Sequence, residues 1–167
     1  MRIGLMNTSF ERSENYTDEW YTPQEILTKL GGVKYFDLDP CAPIKPLFPT
    51  AKKMYNKEDN GLLQKWEGRV WLNPPYSRPL IEQFIKKMVE HNNGIALLFN
   101  RCDNKMFHEM IFPNMSGILF LRSRIKFLRP DGTKGDSPRC GSVLIAFGKE
   151  NAEILEKCGI EGKYLQG

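Results

Sequence analysis

The sequence predicts an α/β protein with a small, mixed sheet that ends in an antiparallel hairpin. Helix-like and β-like segments alternate up to residue 114, as in folds whose parallel strands are joined by helices. The segment 95–99 is continuously apolar, which is typical of a strand buried on both faces of a parallel sheet. From Gly117 onward, three β-like runs follow one another around a polar, Gly-rich loop, which predicts the terminal hairpin.

The composition favours a single globular domain, because 41% of the 167 residues are hydrophobic and 26% are charged. We predict a flexible, polar N-terminal arm at 1–17 and one domain at 18–167. No segment approaches the ~18–20 apolar residues that a membrane-spanning helix needs, so we expect no membrane partner. The four cysteines are far apart and only two histidines accompany them, so we expect no metal site and a reduced, cytoplasmic protein.

The first helix of the domain is predicted from its end signals. Thr22-Pro23-Gln24-Glu25 fits a capping box, in which Thr22 caps the helix, Pro23 takes the first helical position and Glu25 bonds back to the cap. Gly31-Gly32 ends the helix. Capping explains Thr22 and Pro23 without a ligand, and a ligand-binding role remains open beside it.

The first strand is predicted at 33–38, so Asp39 lies at its carboxyl end, where open α/β sheets bind ligands. A turn role for Asp39 before a proline is the alternative. No G-x-G-x-x-G turn follows the strand, which argues against NAD or ATP chemistry. The segment 40–61 is irregular, and Asn73 follows Asp39 by only 34 positions. The sheet is therefore abbreviated, with the first strand adjacent or nearly adjacent to the strand that ends at Leu72.

Asn73-Pro74-Pro75-Tyr76 follows the β-like run 69–72 and precedes a helix that begins near Pro79. Because proline has no N–H group and its φ is fixed at about −65°, the tetrapeptide forms a rigid, extended loop. The Asn73 side-chain oxygen, a proline carbonyl and the Tyr76 ring can together hold an exocyclic amino group. A Pro-rich turn without a ligand is the alternative.

The later elements are predicted from periodicity and end signals. The apolar spacing predicts a helix from Pro79 that ends at Asn92-Asn93-Gly94, and Asp103 is expected to cap a second helix that extends to Ile111. Further strands are predicted at 118–121, 125–128 and 142–147, followed by a closing helix at 151–157.

The net charge of +4 is unevenly distributed along the chain. Between 101 and 139, eight basic residues accompany four acidic ones, and this local excess suits a polyanionic partner. The basic residues are Arg101, Lys105, Arg122, Arg124, Lys126, Arg129, Lys134 and Arg139.

Five blocks of the chain form an ordered set. They are Asp18-Glu19-Trp20-Tyr21-Thr22-Pro23, Phe36-Asp37-Leu38-Asp39-Pro40-Cys41-Ala42, Asn60-Gly61-Leu62 followed by Trp66, Val70-Trp71-Leu72-Asn73-Pro74-Pro75-Tyr76-Ser77, and Arg124-Ile125-Lys126-Phe127 with Gly141-Ser142-Val143-Leu144. The set resembles the amino-group methyltransferases that use S-adenosylmethionine and, more narrowly, the small phage-type DNA N-6-adenine methyltransferase family. The resemblance covers roughly residues 18–148. The ordered set is far more specific than the tetrapeptide alone.

The resemblance implies a Rossmann-like methyltransferase fold and methyl transfer from S-adenosylmethionine to the N6 amino group of adenine in double-stranded DNA. Its catalytic loop would be Asn73, Pro74, Pro75 and Tyr76. The Asn73 side-chain oxygen and the Pro74 carbonyl would accept the N6 hydrogens, which makes the nitrogen more electron-rich for in-line attack on the sulfonium methyl. Tyr76 would stack on the flipped-out base. No covalent enzyme intermediate is implied.

The cofactor-binding residues implied by the resemblance are Tyr21, Thr22, Pro23, Asp39, Pro40 and Asp59. The first three would line the methionine and carboxylate end of the pocket, and Asp39 would lie near the methionine amino group. Asp59 or its neighbour Glu58 would contact the ribose or the adenine. The chain departs from the broader methyltransferase pattern in lacking a glycine-rich turn after the first strand.

The expected DNA contacts are Arg78, Arg101, Arg122, Arg124, Lys126 and Arg139. Arg122 and Arg124 are predicted to alternate on one strand, with Lys126 continuing the same side. Arginine is the commonest side chain that contacts guanine directly, and lysine more often contacts phosphate. A solvated, charged hairpin is the alternative. The oligomeric state stays open with a monomer favoured, and a phage-encoded protein would act in the host-cell cytoplasm.

Three other functions compete with this interpretation. The same tetrapeptide occurs in methyltransferases that act on RNA adenine or on protein glutamine, and a catalytically inactive relative could bind nucleic acid alone. The Pro40-Cys41 pair also invites comparison with cytosine C5 methylation, which needs a thiolate nucleophile. We disfavour that role for Cys41 because the residue lies at the cofactor end of the sheet.

Overall fold

The computed structural model describes residues 21–167. The predicted arm at 1–17 and the residues Asp18, Glu19 and Trp20 lie outside the described residues. The helices are α1 (Gln24–Lys29), α2 (Leu80–His91) and α3 (Lys149–Lys157), and a π-helical turn spans Phe107–Ile111. The strands are β1 (Leu38–Asp39), β2 (Lys53–Met54), β3 (Val70–Leu72), β4 (Gly94–Phe99), β5 (Gly117–Leu121), β6 (Ser142–Phe147) and β7 (Gly162–Gln166). No helix within 21–167 has the length and apolar character needed to span a membrane.

All seven strands form one sheet in the order β2-β1-β3-β4-β6-β5-β7. The first four are parallel to one another, with Leu38 opposite Val70 and Trp71 opposite Ile95. β6 pairs antiparallel with both β4 and β5, and β7 pairs antiparallel with β5. The predicted α/β fold with a mixed sheet is therefore confirmed. The expectation that β1 and β3 are adjacent is also confirmed.

The two faces of the sheet have separate apolar layers, as the alternation of side chains along a strand requires. Val143, Ile145 and Phe147 of β6 point into one layer, and α2 packs there through its buried residues. Leu144 and Ala146 point into the other layer, which contains α1 and α3. Both faces of the central strands are therefore buried, and the carboxyl ends of the parallel strands β1, β3 and β4 lie at one edge.

The predicted capping box at the start of α1 is wrong. Pro23 occupies the N-cap position with φ −59° and ψ 135°, and no described side chain forms a capping hydrogen bond there. The Thr22 hydroxyl instead accepts a hydrogen bond from Asn73 Nδ2 at 3.2 Å. Local signals predicted a cap because they cannot register a partner that is 51 positions away.

The first strand is shorter than predicted, and its outer neighbour was missed. Residues 33–35 form a turn, so only the end of the predicted segment is β1. β2 lies in the segment expected to be irregular. Both strands have two residues and exist because their backbones bond to neighbours, as when Tyr55 N donates to Asp39 O at 2.8 Å. Such short strands have too few residues to show a period.

The segment 125–128 is not a strand of the sheet, contrary to prediction. It runs beside the start of the domain, where Leu128 N donates to Tyr21 O at 2.8 Å. The helix expected after Asp103 is capped by Asn104, whose Oδ1 accepts from Phe107 N at 3.0 Å. The helix at α3 is confirmed, but it does not close the chain, because β7 follows and covers the edge of β5.

Candidate active site

The carboxyl ends of β1 and β3 open onto one cavity of about 590 Å³. Asp39 is the last residue of β1, and Asn73 directly follows β3. Six residues predicted for the site line this cavity: Tyr21, Thr22, Asp39, Pro40, Asn73 and Pro75. The structure thus brings together three blocks that are far apart in the sequence, at the edge where parallel α/β sheets bind ligands.

Asp39 is the buried acid of the cavity, with 2% of its surface exposed. Its Oδ2 accepts a hydrogen bond from Thr50 Oγ1 at 2.5 Å, and its Oδ1 accepts one from Cys41 N at 2.9 Å. Burial raises the pKa of Asp39 to about 6, because the two hydrogen bonds only partly offset the loss of water around the carboxylate. A cationic ligand group in the cavity would stabilise the charged form.

Sequence reasoning missed Thr50 and Phe48, which also line the cavity. Both lie in the irregular segment between β1 and β2, where no periodicity marks them. Thr50 is 9% exposed and orients the Asp39 carboxyl group through its hydroxyl. Phe48 adds an aromatic side chain to the wall. Nothing in the sequence pattern distinguishes either residue from an ordinary loop residue.

The Asn60-Gly61-Leu62 block also lines the cavity. A side chain at Gly61 would place its Cβ 2.1 Å from Pro40 O, so this position needs glycine for the loop to pack against the end of β1. Trp66 Nε1 donates to Gly61 O at 2.8 Å and holds the loop from behind. The spacing from Gly61 to Trp66 is therefore explained by a contact that shapes the cavity.

Asn73 and Thr22 are the polar pair at the entrance to the tetrapeptide loop. Because Asn73 Nδ2 donates to Thr22 Oγ1, the amide nitrogen faces the start of α1 and the amide oxygen is directed the other way. Pro74 is buried and Pro75 lines the cavity, so the rigid Pro74-Pro75 dipeptide positions Asn73 before it and Tyr76 after it. This arrangement sets the orientation of the amide before any ligand arrives.

Tyr76 lies outside the cavity lining, on an aromatic stack that the sequence did not predict. Its ring stacks on Phe99 with the centroids 4.4 Å apart and the planes at 24°, and Phe99 meets Phe127 edge-on at 6.0 Å. The Tyr76 hydroxyl donates to Leu97 O at 3.4 Å. Phe99 is the last residue of β4, so a strand of the sheet fixes the height and tilt of the Tyr76 ring.

Pro23, Pro74 and Asp59 also lie outside the cavity lining. The Asp59 carboxylate accepts from Asn56 N at 2.9 Å, so it stabilises a local turn while Asn56 and Asn60 line the cavity. The neighbouring Glu58 is exposed. The cofactor roles of Pro23 and Asp59 and the catalytic role of Pro74 remain predictions, and the structure does not bring Asp59 to the cavity.

Cys41 lines the cavity, but its thiol is poorly suited to be a nucleophile. Burial, and then the neighbouring Asp39 carboxylate, raise the pKa of Cys41 well above its ordinary value. The thiol is therefore protonated near neutral pH, whereas attack on a cytosine ring needs the thiolate. The geometry argues against cytosine C5 chemistry at this residue.

The six residues predicted to contact DNA are all exposed, but they do not form one row. Arg78 pairs with Glu82 at 3.5 Å, and Arg122 pairs with Glu161 at 3.6 Å. Arg124 NH1 donates to Pro138 O at 3.0 Å. Lys126, Arg101 and Arg139 lie on the surface without a strand to align them. Arg122 and Arg124 follow β5 and do not alternate on a strand as predicted, because the chain leaves the sheet after Leu121.

Within residues 21–167 no group of three or more His, Cys, Asp or Glu side chains is arranged to hold a metal ion.

The chain is similar to known DNA N-6-adenine-methyltransferases. A family model described as DNA N-6-adenine-methyltransferase (Dam) matches residues 10–157. A protein of Escherichia phage T1 named DNA N-6-adenine-methyltransferase is 44% identical over 89 residues, which cover 48% of this chain and 35% of that protein. The chain thus spans about a third of the length of this relative. No solved structure matches the chain significantly.

Proposed function

The chain belongs to the DNA N-6-adenine-methyltransferase (Dam) family, and from this membership we propose that it transfers a methyl group from S-adenosylmethionine to adenine N6 in double-stranded DNA. The observation that carries the proposal is the meeting of Thr22, Asp39 and Asn73 at one cavity on the carboxyl edge of the sheet. Membership of the family implies a methyl donor and DNA as substrate. The donor's identity, the duplex form and the residue roles are our proposal.

The cavity fits a donor that is both apolar and cationic. Its volume of about 590 Å³ is in the usual range for a small-molecule site. Apolar and aromatic residues such as Phe48, Leu62 and Trp71 line it beside the buried Asp39 carboxyl group. S-adenosylmethionine, when bound, supplies an electrophilic methyl group on a sulfonium centre. Its ammonium and sulfonium charges match a carboxylate whose only described hydrogen-bond donors are Thr50 and Cys41.

Asn73 is proposed to activate the amino group of the target adenine. The N6 lone pair is delocalised into the ring, so the nitrogen becomes nucleophilic only when its hydrogens are drawn out of the ring plane. The Asn73 side-chain oxygen and the Pro74 carbonyl would accept those hydrogens, and the bond from Asn73 Nδ2 to Thr22 keeps the amide in the required orientation. Such fixed polar groups act through positioning and electrostatic stabilisation.

Tyr76 is proposed to support the adenine ring once the base leaves the duplex. An adenine within a duplex cannot reach the end of a strand of this sheet, so the base has to be flipped out. Base–aromatic stacking contributes about 1–3 kcal/mol per base. Phe99 supports the ring of Tyr76 from one side at 4.4 Å, which leaves the tyrosine rigid when a base arrives.

The test is a transfer assay with labelled methyl donor and unmethylated duplex DNA, followed by digestion to nucleosides. We expect label in N6-methyl-2′-deoxyadenosine from the DNA, dependent on Asn73. Matched incubations with RNA and with protein extract test the two other amino-group substrates. Label found in RNA or in glutamine, with none in DNA, would contradict the proposal. Donor binding without transfer to any of these substrates would favour the inactive relative.

A further inference from the structure

A second cavity of about 390 Å³ lies beside the first and has a basic rim. Its lining comes from α1, from the segment that follows β5 and from the residues before β7. The basic residues around it are Lys29, Arg124, Lys126 and Lys134, and the acidic ones are Glu25 and Glu161. Only Arg124 and Lys126 belong to the set expected from the sequence to contact DNA.

The positive charge of this rim is poorly compensated by the protein itself. Within residues 21–167, Lys29, Lys126 and Lys134 have no ion pair, whereas Glu161 pairs with Arg122 at 3.6 Å. Three exposed ammonium groups from two different parts of the chain therefore face one depression. An arrangement of this kind attracts an anion and is disfavoured by mutual repulsion when no anion is present.

The floor of the cavity is apolar, which distinguishes it from a simple charged surface. Ile26 and Ile125 are 8% and 6% exposed and form its base together with Leu121 and Ile160. A ligand with an apolar sugar edge and a charged phosphate matches this combination.

The segment 21–23 separates the two cavities. Tyr21 and Thr22 line the first cavity, and Pro23 lines the second. The backbone that carries the basic residues is bonded to this segment, because Leu128 N donates to Tyr21 O at 2.8 Å. A DNA strand bound in the second cavity would thus lie beside Pro23, which directly follows Thr22 in the chain. Thr22 in turn orients the Asn73 amide.

We infer that the second cavity binds the phosphodiester backbone of the DNA strand next to the target adenine. Lys29, Lys126 and Lys134 contact the phosphates, and the apolar floor accommodates the adjoining sugar. The inference rests on the proposed function for its choice of DNA. It adds a phosphate-binding site that includes Lys29 of α1 and that anchors the strand while the base is out of the stack.

The test compares two triple variants with the same loss of charge. The cavity variant is Lys29→Gln, Lys126→Gln and Lys134→Gln. The control is Lys86→Gln, Lys149→Gln and Lys157→Gln, whose residues are exposed and lie outside both cavities. Affinity for a labelled duplex is measured by fluorescence anisotropy without methyl donor, over a series of salt concentrations. Thermal denaturation checks that both variants are folded.

We expect the cavity variant to reduce the magnitude of the slope of log affinity against log salt concentration by up to ~2.7, since each lost phosphate contact removes about 0.9 from that slope. The control should leave the slope nearly unchanged. Equal slopes in the two variants would overturn the inference. If the triple cavity variant unfolds, Lys126→Gln alone should change the slope by about 0.9.

The same samples separate this inference from the proposed function. Binding is measured in the absence of transfer, so the cavity can be shown to hold DNA even if no adenine becomes methylated. In that outcome the inference stands and the proposed reaction fails. The converse outcome is that the wild type methylates adenine while the cavity variant keeps the full salt slope. In that outcome the proposed reaction stands, the inference fails and the phosphate site lies elsewhere.

Discussion

Asp37 and Asp39 are two residues apart, yet the pKa values of their carboxyl groups shift in opposite directions. A hydrogen bond from Lys52 at 2.8 Å, followed by one from Arg69 N, lowers the pKa of Asp37. Burial raises the pKa of Asp39 to about 6. The two residues belong to opposite edges of the sheet, because Asp37 precedes β1 and Asp39 ends it. The difference between the edges indicates which polar groups are structural.

The amino edge of the sheet contains polar groups that satisfy one another. Arg69 lies over the Tyr35 ring at 3.8 Å, and its Nε donates to Asn151 Oδ1 at 2.6 Å. Asn151 is 1% exposed, and its Nδ2 donates to Asn93 Oδ1 at 2.9 Å and to Phe147 O at 2.7 Å. Each group has a protein partner, so the cluster joins α3 to the ends of three strands. Such a cluster stabilises the fold and needs no ligand.

The carboxyl edge contains polar groups that face a cavity. Asp39 is buried without a described cation beside it, and its pKa is raised for that reason. The Asn73 amide is held on one side by Thr22 and borders the same cavity. Buried polar groups that carry an energetic cost in the free protein are the groups that gain most when a ligand binds. The four predictions below test this contrast.

The largest effect is expected from Asn73→Ala. Removal of the acceptor should lower kcat for methyl transfer by about 10²–10³-fold, as for loss of a group that stabilises developing charge. Donor binding, measured by calorimetry, should change little. The matched control is Asn93→Ala at the amino edge, which should lower stability and leave kcat nearly unchanged. Comparable losses of kcat in the two variants would remove the distinction between the edges.

Asn151→Ala should produce the largest loss of stability. The substitution removes the amide that bonds to Arg69, Asn93 and Tyr35 and leaves buried polar groups without partners. The expected decrease in the free energy of unfolding is about 2–4 kcal/mol, measured by urea denaturation. Donor affinity in the remaining folded protein should equal that of the wild type. A loss below about 0.5 kcal/mol would show that the cluster is not structural.

Asp39→Asn should change how stability depends on pH. The folded pKa of about 6 is above the ordinary value of 3.8, so the folded protein binds the extra proton between these values. Stability from this group is fully present below pH 3.8 and is lost as pH rises through 6, by roughly 2–3 kcal/mol.

The measurement for Asp39 is the difference in unfolding free energy between wild type and Asp39→Asn over this pH range. Asp37 acts in the opposite sense, since its lowered pKa contributes stability that is lost as pH falls, and this contribution cancels in the difference. The variant should gain stability relative to the wild type as pH rises from about 4 to 7. A constant difference would mean that Asp39 does not titrate in this range.

Phe99→Leu should have the smallest effect. Leucine keeps the apolar contact but removes the stack with Tyr76, which contributes about 0.5–1.5 kcal/mol. We expect kcat/KM for DNA to fall about 3–10-fold with donor affinity unchanged, if the Tyr76 ring supports the base. Phe112→Leu is the control, because it loses a comparable ring contact with Phe107 on the π-helical turn. Equal kcat/KM values in the two variants would place the base elsewhere.

Much of the fold could be predicted because the long elements have a clear apolar pattern, either periodic or continuous. α2, β4 and β6 lie close to where the apolar pattern placed them. The short strands and β7 were missed because their backbones are held by neighbours from other parts of the chain. The segment 125–128 has a strand-like alternation, with Ile125 and Phe127 buried, but its partner is the start of the domain rather than the sheet. A local pattern cannot specify which partner is available.

The sequence by itself determined the order of the blocks, the rigidity of Asn73-Pro74-Pro75-Tyr76 and the position of Asp39 at the end of a strand. These properties depend on residue type and on spacing along the chain. Only the tertiary structure decided that Thr22 orients Asn73, that Thr50 bonds to Asp39 and that Phe99 supports Tyr76. Each of these contacts joins separate segments, and their partners are selected by the packing of the sheet and its loops. The position of Asp39 and Asn73 after two neighbouring strands predicted that they share one edge of the sheet, and packing decided which side chains contact them there.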